Sequence, residues 1–325
     1  MQVRAALEDG PAPAVRNKPL ASGLSGIHLQ GSLMTFASSD RPVEPQQRDS
    51  FNPAEKTPDL SPKEKKAVEG QSRPNAALIH ETIRAEGESE LDRTASALLL
   101  SGLAAGLSMG FSLTVEGLLH AHLPDASWKP LVSSLGYTIG FLIVVLGRQQ
   151  LFTENTLTPI LPLLHNRDGR TFLRVLKLWA IVLAANIVAT WAFAAVIAHT
   201  PLFAPEIKNA FSEISHKVVA SPFGTVVLKA IFAGWLIALM VWLLPGADSA
   251  RVLVILIITY VVAIGGFSHL IAGSVDGFYL VETGQATWAD YVLRFFAPTL
   301  IGNVLGGVTL VAALNFGQVV PALQR

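Results

Sequence analysis

The chain has 325 residues, 51% of them hydrophobic and only 15% charged, and its mean hydropathy is +0.46. Because soluble domains carry about 25% charged residues, this composition favours a membrane protein. The net charge of zero argues against a nucleic-acid partner, and the absence of cysteine excludes disulfides, thiolate metal sites and iron–sulfur clusters.

The N-terminal part of the chain is polar and divides into two segments. Residues 1–74 are rich in proline, serine, glutamine and mixed charges, a composition that predicts a disordered tail. The tail has no continuous apolar run typical of a cleavable signal peptide, so the first membrane span is expected to direct its own insertion. Residues 75–93 predict an amphipathic helix on the membrane surface. Its apolar residues are Leu78, Ile79, Ile83 and Leu91.

Residues 94–322 contain six long apolar segments and are predicted to form a transmembrane channel domain. A helix of about 20 apolar residues spans a bilayer, and four segments contain long uncharged runs: 95–115, 178–205, 230–246 and 295–324. Six spans divide into two halves of three. Because each half has an odd number of spans, the second half crosses the membrane in the inverted orientation. Glycines at every fourth position predict close helix packing: Gly102, Gly106 and Gly110, and Gly302 and Gly306.

The second and fifth segments are interrupted by polar residues at corresponding places. Segment two meets the polar run 148–155, and segment five meets Ser268 and His269. Interrupted helices at matching positions of two inverted halves indicate a solute site near the middle of the membrane. The sequence therefore predicts an all-α membrane channel or transporter whose helices 2 and 5 are broken. The predicted breaks cover residues 148–156 and 266–274.

Four polar residues in or near the breaks are candidates for this site. Thr153 precedes the stretch 156–164, which could restart a helix whose N-terminus favours an anion; the alternative is a simple helix cap. An intramembrane histidine such as His269 is by default a functional candidate; the alternative is a packing residue. Asn186 and Asn303 lie in the third span of each half, where the free backbone of a break would supply the partners that a buried amide needs.

Basic residues are distributed unevenly between the loops. The tail and the loop between segments two and three hold most of the lysine and arginine, and the loop contributes Arg167, Arg170, Arg174 and Lys177. The positive-inside rule therefore predicts that the N- and C-termini are both cytoplasmic.

The two breaks resemble those of the formate/nitrite transporter family. The resemblance extends over residues 93–320 and rests on Leu151-Phe152-Thr153 in the first break and Gly266-Phe267-Ser268-His269 with Ala272 in the second. It implies a homopentamer whose protomers each enclose a pore in an aquaporin-like arrangement of six helices. It also implies a multi-pass protein of the bacterial inner membrane that carries small monovalent anions, such as formate or nitrite, without a cofactor.

The resemblance also implies roles for individual residues. Thr153 and His269 correspond to the threonine and the central histidine of the family's pathway, and Lys217 to a lysine that draws anions into the outer vestibule. The family's two apolar constrictions fall at Phe141 and Tyr137 for one and at Val262 for the other. The remaining candidate pathway residues are Leu151, Phe152 and Ser268.

Three positions depart from the family pattern. Gln150 stands where the family usually has an acidic residue, Ser268 where it has Glu or Asn, and Gly234 where it tends to have Asn. The resemblance therefore predicts the fold but leaves the substrate open.

Moving a charged anion through an apolar constriction costs more free energy than protonating it first, which predicts that transport is linked to protons. Burying a bare carboxylate costs an idealised ~20 kcal/mol, and several kcal/mol even after relaxation. Protonating an acid of pKa near 4 at pH 7 costs only about 4 kcal/mol. The anion is therefore expected to cross as the neutral acid, with His269 either as the proton donor or as a hydrogen-bonding guide.

Two other classes of function are open. An aquaporin-like channel for neutral solutes would share the architecture, but neither break contains an Asn-Pro-Ala box, and a vestibule lysine serves no neutral solute. A membrane sensor would use the long tail, but the chain has no recognisable output domain. No enzyme is indicated, since the sequence has no metal cluster, nucleotide-binding loop or nucleophile–base pair.

Overall fold

All regular secondary structure is helical in the part of the chain that its computed structural model describes, which covers residues 61–63, 74–314, 317 and 319. The predicted disordered tail, residues 1–74, lies outside the described residues except for 61–63 and 74. The all-α class is confirmed over the described ranges, in which no strand occurs.

Ten helices can be distinguished in the described region. They are α1 (Ala76–Asp92), α2 (Ala95–His122), α3 (Lys129–Leu146), α4 (Ile160–Asn166), α5 (Gly169–His199), α6 (Pro205–Val219), α7 (Phe223–Leu243), α8 (Arg251–Ile264), α9 (Leu270–Glu282) and α10, which begins at Trp288. The last helix consists of the turn Trp288–Asp290, the π-helical stretch Tyr291–Phe296, the α-helical stretch Ala297–Leu305 and the π-helical stretch Gly306–Ala313. Single 3₁₀ turns lie at Glu154–Thr156, Leu244–Gly246 and Asp248–Ala250.

Five of the described helices are long and apolar enough to cross a membrane: α2, α3, α5, α7 with its continuation to Gly246, and α10. The helices α8 and α9 have 14 and 13 residues. At about 1.5 Å per residue, each is shorter than the ~30 Å hydrocarbon core of a bilayer. The fifth apolar segment of the sequence is therefore divided between two helices that are each too short to span.

The chain between α3 and α4, residues 147–159, contains a single 3₁₀ turn and no α-helix. Arg148 has a φ of +50°, so the chain leaves the helical direction directly after α3. Pro159 occupies the N-cap of α4. The helix therefore restarts at Ile160, four residues after the start of the predicted stretch 156–164.

Residues 265–269 separate α8 from α9. Gly266 has a φ of +58°, in the left-handed region that favours glycine, and the chain turns there. His269 is the N-cap of α9, and its Nδ1 accepts a hydrogen bond from the backbone N–H of Ala272 at 3.2 Å. The predicted break 266–274 is therefore wrong over residues 270–274, because this cap starts the helix directly after His269.

The glycine stripes lie at equivalent helix contacts in the two halves. A Cβ added to Gly102 of α2 would lie 2.8 Å from the Cβ of Ala185 of α5, closer than side chains pack. Gly302 of α10 packs equally closely against α7, because an added Cβ would lie 2.5 Å from the carbonyl oxygen of Val227. The predicted close packing is confirmed for both helix pairs.

The helix α1 packs on the bundle next to the first break. Its inner face buries His80, Ile83 and Gly87. A Cβ added to Gly87 would overlap the carbonyl oxygen of Thr158, so a glycine is needed for this close approach. The predicted helix over residues 75–93 is observed as Ala76–Asp92, and its contact with a lipid surface stays a prediction.

Candidate functional site

The first break is held by Asn186, a buried amide of α5. Its Oδ1 accepts a hydrogen bond from the backbone N–H of Phe152 at 2.9 Å. Its Nδ2 donates to the carbonyl oxygens of Gln150 at 3.0 Å and of Gly102 of α2 at 2.7 Å. One side chain therefore satisfies backbone groups that the missing helix leaves free.

The second break is held in the same way by Asn303 of α10. Its Oδ1 accepts from the backbone N–H of Leu270 at 2.9 Å. Its Nδ2 donates to the carbonyl oxygens of Ser268 at 2.9 Å and of Ala230 of α7 at 2.8 Å. The two halves thus repeat one arrangement, in which His269 occupies the position that Leu151 has in the first break.

Thr153 and His269 bring the two breaks together. Thr153 Oγ1 lies 2.7 Å from His269 Nε2, and both side chains are buried. Because His269 Nδ1 accepts from the N–H of Ala272, the proton of the neutral imidazole is on Nε2, which donates to Thr153. Among the described residues the Thr153 hydroxyl has no other partner, so its hydrogen can donate to a ligand.

Apolar side chains surround this contact. Phe141 of α3 packs against His269 in a T-shaped arrangement, with the ring centroids 4.9 Å apart. Tyr137 lies one turn earlier on α3, and its ring centroid is 5.3 Å from that of Phe141. Val262 of α8 is fully buried in the same core as Phe141. The residues that the resemblance assigns to the two constrictions therefore lie close to the central histidine.

Two of the candidate pathway residues belong to the surrounding core. Leu151 is fully buried, and the ring of Phe152 packs against Trp179 of α5 with the centroids 5.7 Å apart. Both residues position the backbone of the first break through their packing.

A cavity of about 280 Å³ lies beside His269 and is called the histidine cavity here. The candidate site residues that line it are Tyr137, Lys217, Val262, Ser268 and His269. Lys217, near the end of α6, is exposed, whereas His269 is buried. The cavity therefore connects the protein surface with the central histidine.

Two carboxylates that the sequence analysis did not single out also line the histidine cavity. They are Glu116 of α2 and Asp276 of α9, and both are less than one-tenth exposed. A signal was available, because Glu116 is the lone acidic residue of α2 and directly follows the uncharged run 95–115, and Asp276 is the only acidic residue of α9 before its last residue. Within the described ranges, no three His, Cys, Asp or Glu side chains are grouped as a metal site requires.

A second cavity, of about 620 Å³, lies between α1 and the first break. Glu90 of α1 accepts hydrogen bonds there from Thr158 Oγ1 at 2.6 Å and from Gln150 Nε2 at 3.2 Å. Burial raises the pKa of the Glu90 carboxyl above its usual range. Gln150, one of the three departures from the family pattern, therefore joins the first break to α1.

Known proteins share the sequence pattern of this chain. A family model described as "Formate/nitrite transporter" matches residues 77–317. The inner membrane protein YfdC of Escherichia coli (strain K12) is 41% identical over 244 residues, which cover 75% of this chain and 79% of that protein. The formate channel BtFdhC of Bacillus thuringiensis is 28% identical over 246 residues, which cover 73% of this chain and 93% of that protein.

The fold has a counterpart among solved structures. A pentameric formate channel with formate bound superposes with a TM-score of 0.59 at 18% sequence identity, and the match covers 70% of this chain and 98% of that chain. The resemblance that rests on the two breaks is thereby confirmed at the level of the family. The chain belongs to the formate/nitrite transporter family, whose members are transporters and not enzymes.

Proposed function

We propose that this protein is a membrane channel for small monovalent anions of weak acids, such as formate or nitrite, and that passage is linked to protons. The observation that carries the proposal is the 2.7 Å contact between Thr153 and His269, which joins the two breaks beside a cavity open to Lys217. Membership of the family supports it, as does the relative that is named a formate channel.

The proposed membrane architecture has six spans in two inverted halves, as in aquaporins. The second span consists of α3 and α4, and the fifth of α8 and α9, each with a break in the middle. The long helices α2, α5, α7 and α10 supply the other four spans. The equivalent hydrogen bonds of Asn186 and Asn303 support the inverted halves, because the same arrangement holds the break in each.

The proposed pathway runs from the protein surface through the histidine cavity to the two breaks. The charge of Lys217 raises the local concentration of anions at the entrance. The hydroxyl of Thr153 and the N-terminus of α9 offer hydrogen-bond donors where the cavity is most buried. Phe141, Tyr137 and Val262 line the narrow part with apolar surface, which disfavours a hydrated ion.

Within this pathway, His269 acts as a hydrogen-bonding guide. Its Nδ1 caps α9, and protonating that nitrogen would break the hydrogen bond from Ala272. Its Nε2 already donates to Thr153. Because both nitrogens are engaged, the proton that neutralises the substrate needs another source.

Flux in proteoliposomes tests the proposed function. Vesicles that contain the protein are expected to take up formate and nitrite faster than protein-free vesicles, with a fall of the internal pH, because the acid that crosses in its neutral form releases its proton inside. Their permeability to glycerol is expected to stay at the protein-free value. Faster glycerol entry without anion uptake would instead establish the aquaporin-like alternative.

We also propose a homopentamer in which each protomer has its own pore. The solved pentameric formate channel of the same fold supports this assembly. Large apolar side chains on the helix exteriors, which need lipid or a neighbouring protomer, include Leu100, Leu173, Leu228 and Leu293. Native mass spectrometry in mild detergent is expected to give five chains, and a stable monomer or tetramer would contradict the proposal.

The protein is proposed to lie in a bacterial inner membrane with both termini in the cytoplasm. The name of the relative YfdC supports the location, and the basic loop before α5 supports the orientation. Because the chain has no cysteine, single-cysteine variants can report the orientation. Arg170→Cys is expected to react with an impermeant thiol reagent only from the cytoplasmic side, and Glu206→Cys only from the other side.

A further inference from the structure

The histidine cavity contains two acidic side chains whose role the proposed pathway does not explain. Glu116 of α2 is 7% exposed and Asp276 of α9 is 8% exposed. Asp276 accepts a hydrogen bond from the hydroxyl of Ser215 at 3.3 Å. Glu116 forms no hydrogen bond or ion pair within the described part of the chain, although its carboxyl group is buried against the cavity.

The cations of the cavity form no ion pair with these two residues in the described part of the chain, although the charge of Lys217 acts on both. Lys217 is exposed, and Lys229 of α7 donates to the hydroxyl of Ser221 at 3.3 Å. Neither lysine forms an ion pair with Glu116 or Asp276 in the region that the structure describes.

Two other titratable groups line the cavity, Tyr137 and His269. The imidazole of His269 is held by Thr153 and Ala272, and the Tyr137 hydroxyl belongs to a weak acid and not to a base. The groups on the neighbouring helices are bound to other partners: Tyr291 to Ser274, His120 to Glu213, and His216 to Gln285. The two carboxyl groups therefore face the cavity without a buried base beside them.

Two carboxylates in one buried space are costly when both are ionised and no cation pairs with them. A proton on either carboxyl group removes one of the two charges, since burial favours the neutral form of an acid. A fully ionised pair would also repel an entering anion, which conflicts with an anion pathway through the same cavity. A proton on the pair halves its negative charge and supplies an O–H group that donates to the anion.

We propose that Glu116 and Asp276 form a proton-loading site for the transported weak acid. The inference rests on the proposed function and names the proton source that His269 cannot supply. The carboxyl O–H bond of the pair breaks, its proton forms an O–H bond with an oxygen of the entering anion, and the pair is left with one more negative charge. The neutral acid passes Phe141 and the Thr153–His269 contact, and a hydronium ion in the water at the cavity mouth returns a proton to the pair and becomes water.

This site also selects between classes of anion. The anion of a weak acid accepts the proton and crosses without charge. The anion of a strong acid, such as nitrate, cannot keep the proton and meets the negative charge of the pair. The pair therefore favours formate and nitrite over nitrate.

The test compares formate and nitrate uptake into proteoliposomes between about pH 6 and pH 8, corrected for protein-free vesicles. The variants are Glu116→Gln and Asp276→Asn, singly and together, and the control is Glu206→Gln, an exposed acid outside the cavity. The double variant is expected to take up formate about tenfold more slowly near pH 8 and at close to the wild-type rate near pH 6, where the solution supplies more neutral acid. Its nitrate uptake is expected to rise.

Two results would overturn the inference. One is a formate deficit of the same size at every pH, accompanied by a similar loss of nitrate uptake, which indicates a structural role. The other is formate uptake that increases in the double variant, which indicates that the pair only repels anions. If the single variants assemble and the double variant does not, the same pH comparison on the single variants decides. A wild-type protein that carries neither formate nor nitrite would instead overturn the proposed function itself.

Discussion

Replacing His269 by leucine is expected to lower formate flux about tenfold to hundredfold, whereas replacement by asparagine is expected to retain most of the flux. Leucine removes both the acceptor for the N–H of Ala272 and the donor to Thr153. Asparagine can replace both, because its Oδ1 is a good helix cap and its Nδ2 is a donor. The size of the loss follows from two lost hydrogen bonds of roughly 0.5–1.5 kcal/mol each, at about 1.4 kcal/mol per factor of ten.

The pH dependence of the asparagine variant distinguishes the two roles that the sequence leaves open for His269. An imidazole titrates between about pH 5 and pH 8, and an amide does not. If the histidine is a hydrogen-bonding guide, as its tautomer indicates, the variant keeps the wild-type pH profile. A flattened profile would show that the imidazole itself carries the proton.

The partner of the histidine gives a matched pair of variants. Thr153→Val is expected to weaken formate flux at every pH, because it removes the hydroxyl that accepts from His269 and donates to the ligand. Thr190→Val in α5 is the control, since that buried hydroxyl donates only to the carbonyl oxygen of Ile187 in its own helix. Equal fluxes for the two variants would show that the Thr153 hydroxyl plays no part in the pathway.

Among these variants, replacing Asn303 by leucine is expected to lower the stability of the folded protein most. The variant leaves the backbone N–H of Leu270 and the carbonyl oxygen of Ser268 without their partner inside the protein. An unpaired buried polar group costs about 1–3 kcal/mol, so the two together cost about 2–6 kcal/mol. Proteins are often stable by only about 5–15 kcal/mol, and we therefore expect a much lower unfolding temperature in detergent. Asn186→Leu is expected to have the same effect through the first break.

The control for this experiment lies one turn earlier on the same helix. Thr299 is fully buried, and its hydroxyl has no hydrogen-bond partner in the described part of the protein. Thr299→Val keeps the shape of the side chain and removes no bond, so the unfolding temperature should not fall. Should Asn303→Leu unfold at the same temperature as Thr299→Val, the amide would not be what holds the second break.

Much of the fold follows from the sequence, because only a few backbone structures can span a bilayer. Long uncharged runs have to be helices in lipid, since every backbone group needs a partner inside its own segment. A polar run inside such a segment therefore shows where the helix ends, as at residues 148–155. The roles of two further groups were also recognisable from the sequence. Small side chains inside a membrane allow close helix packing, as at the glycines of α2 and α10. Buried amides need hydrogen-bond partners, as at Asn186 and Asn303.

The exact end of the second break could not be predicted, because it depends on a single side-chain conformation. The stretch 270–274 is compatible with a loop or a helix by composition. It is helical because the imidazole of His269 turns back to accept from Ala272. The same hydrogen bond decides the tautomer of the histidine, and with it the role that the side chain can play.

The matching breaks and the family resemblance already assigned Thr153 and His269 to one site, but their direct contact and the presence of Glu116 and Asp276 in one cavity were decided by the tertiary structure alone. Each pair joins residues from opposite halves of the chain. Periodicity and spacing describe neighbours along one element, whereas these pairs meet only because the two halves pack face to face. A lone acid in an apolar helix was therefore visible in the sequence, but its partner in the histidine cavity was not.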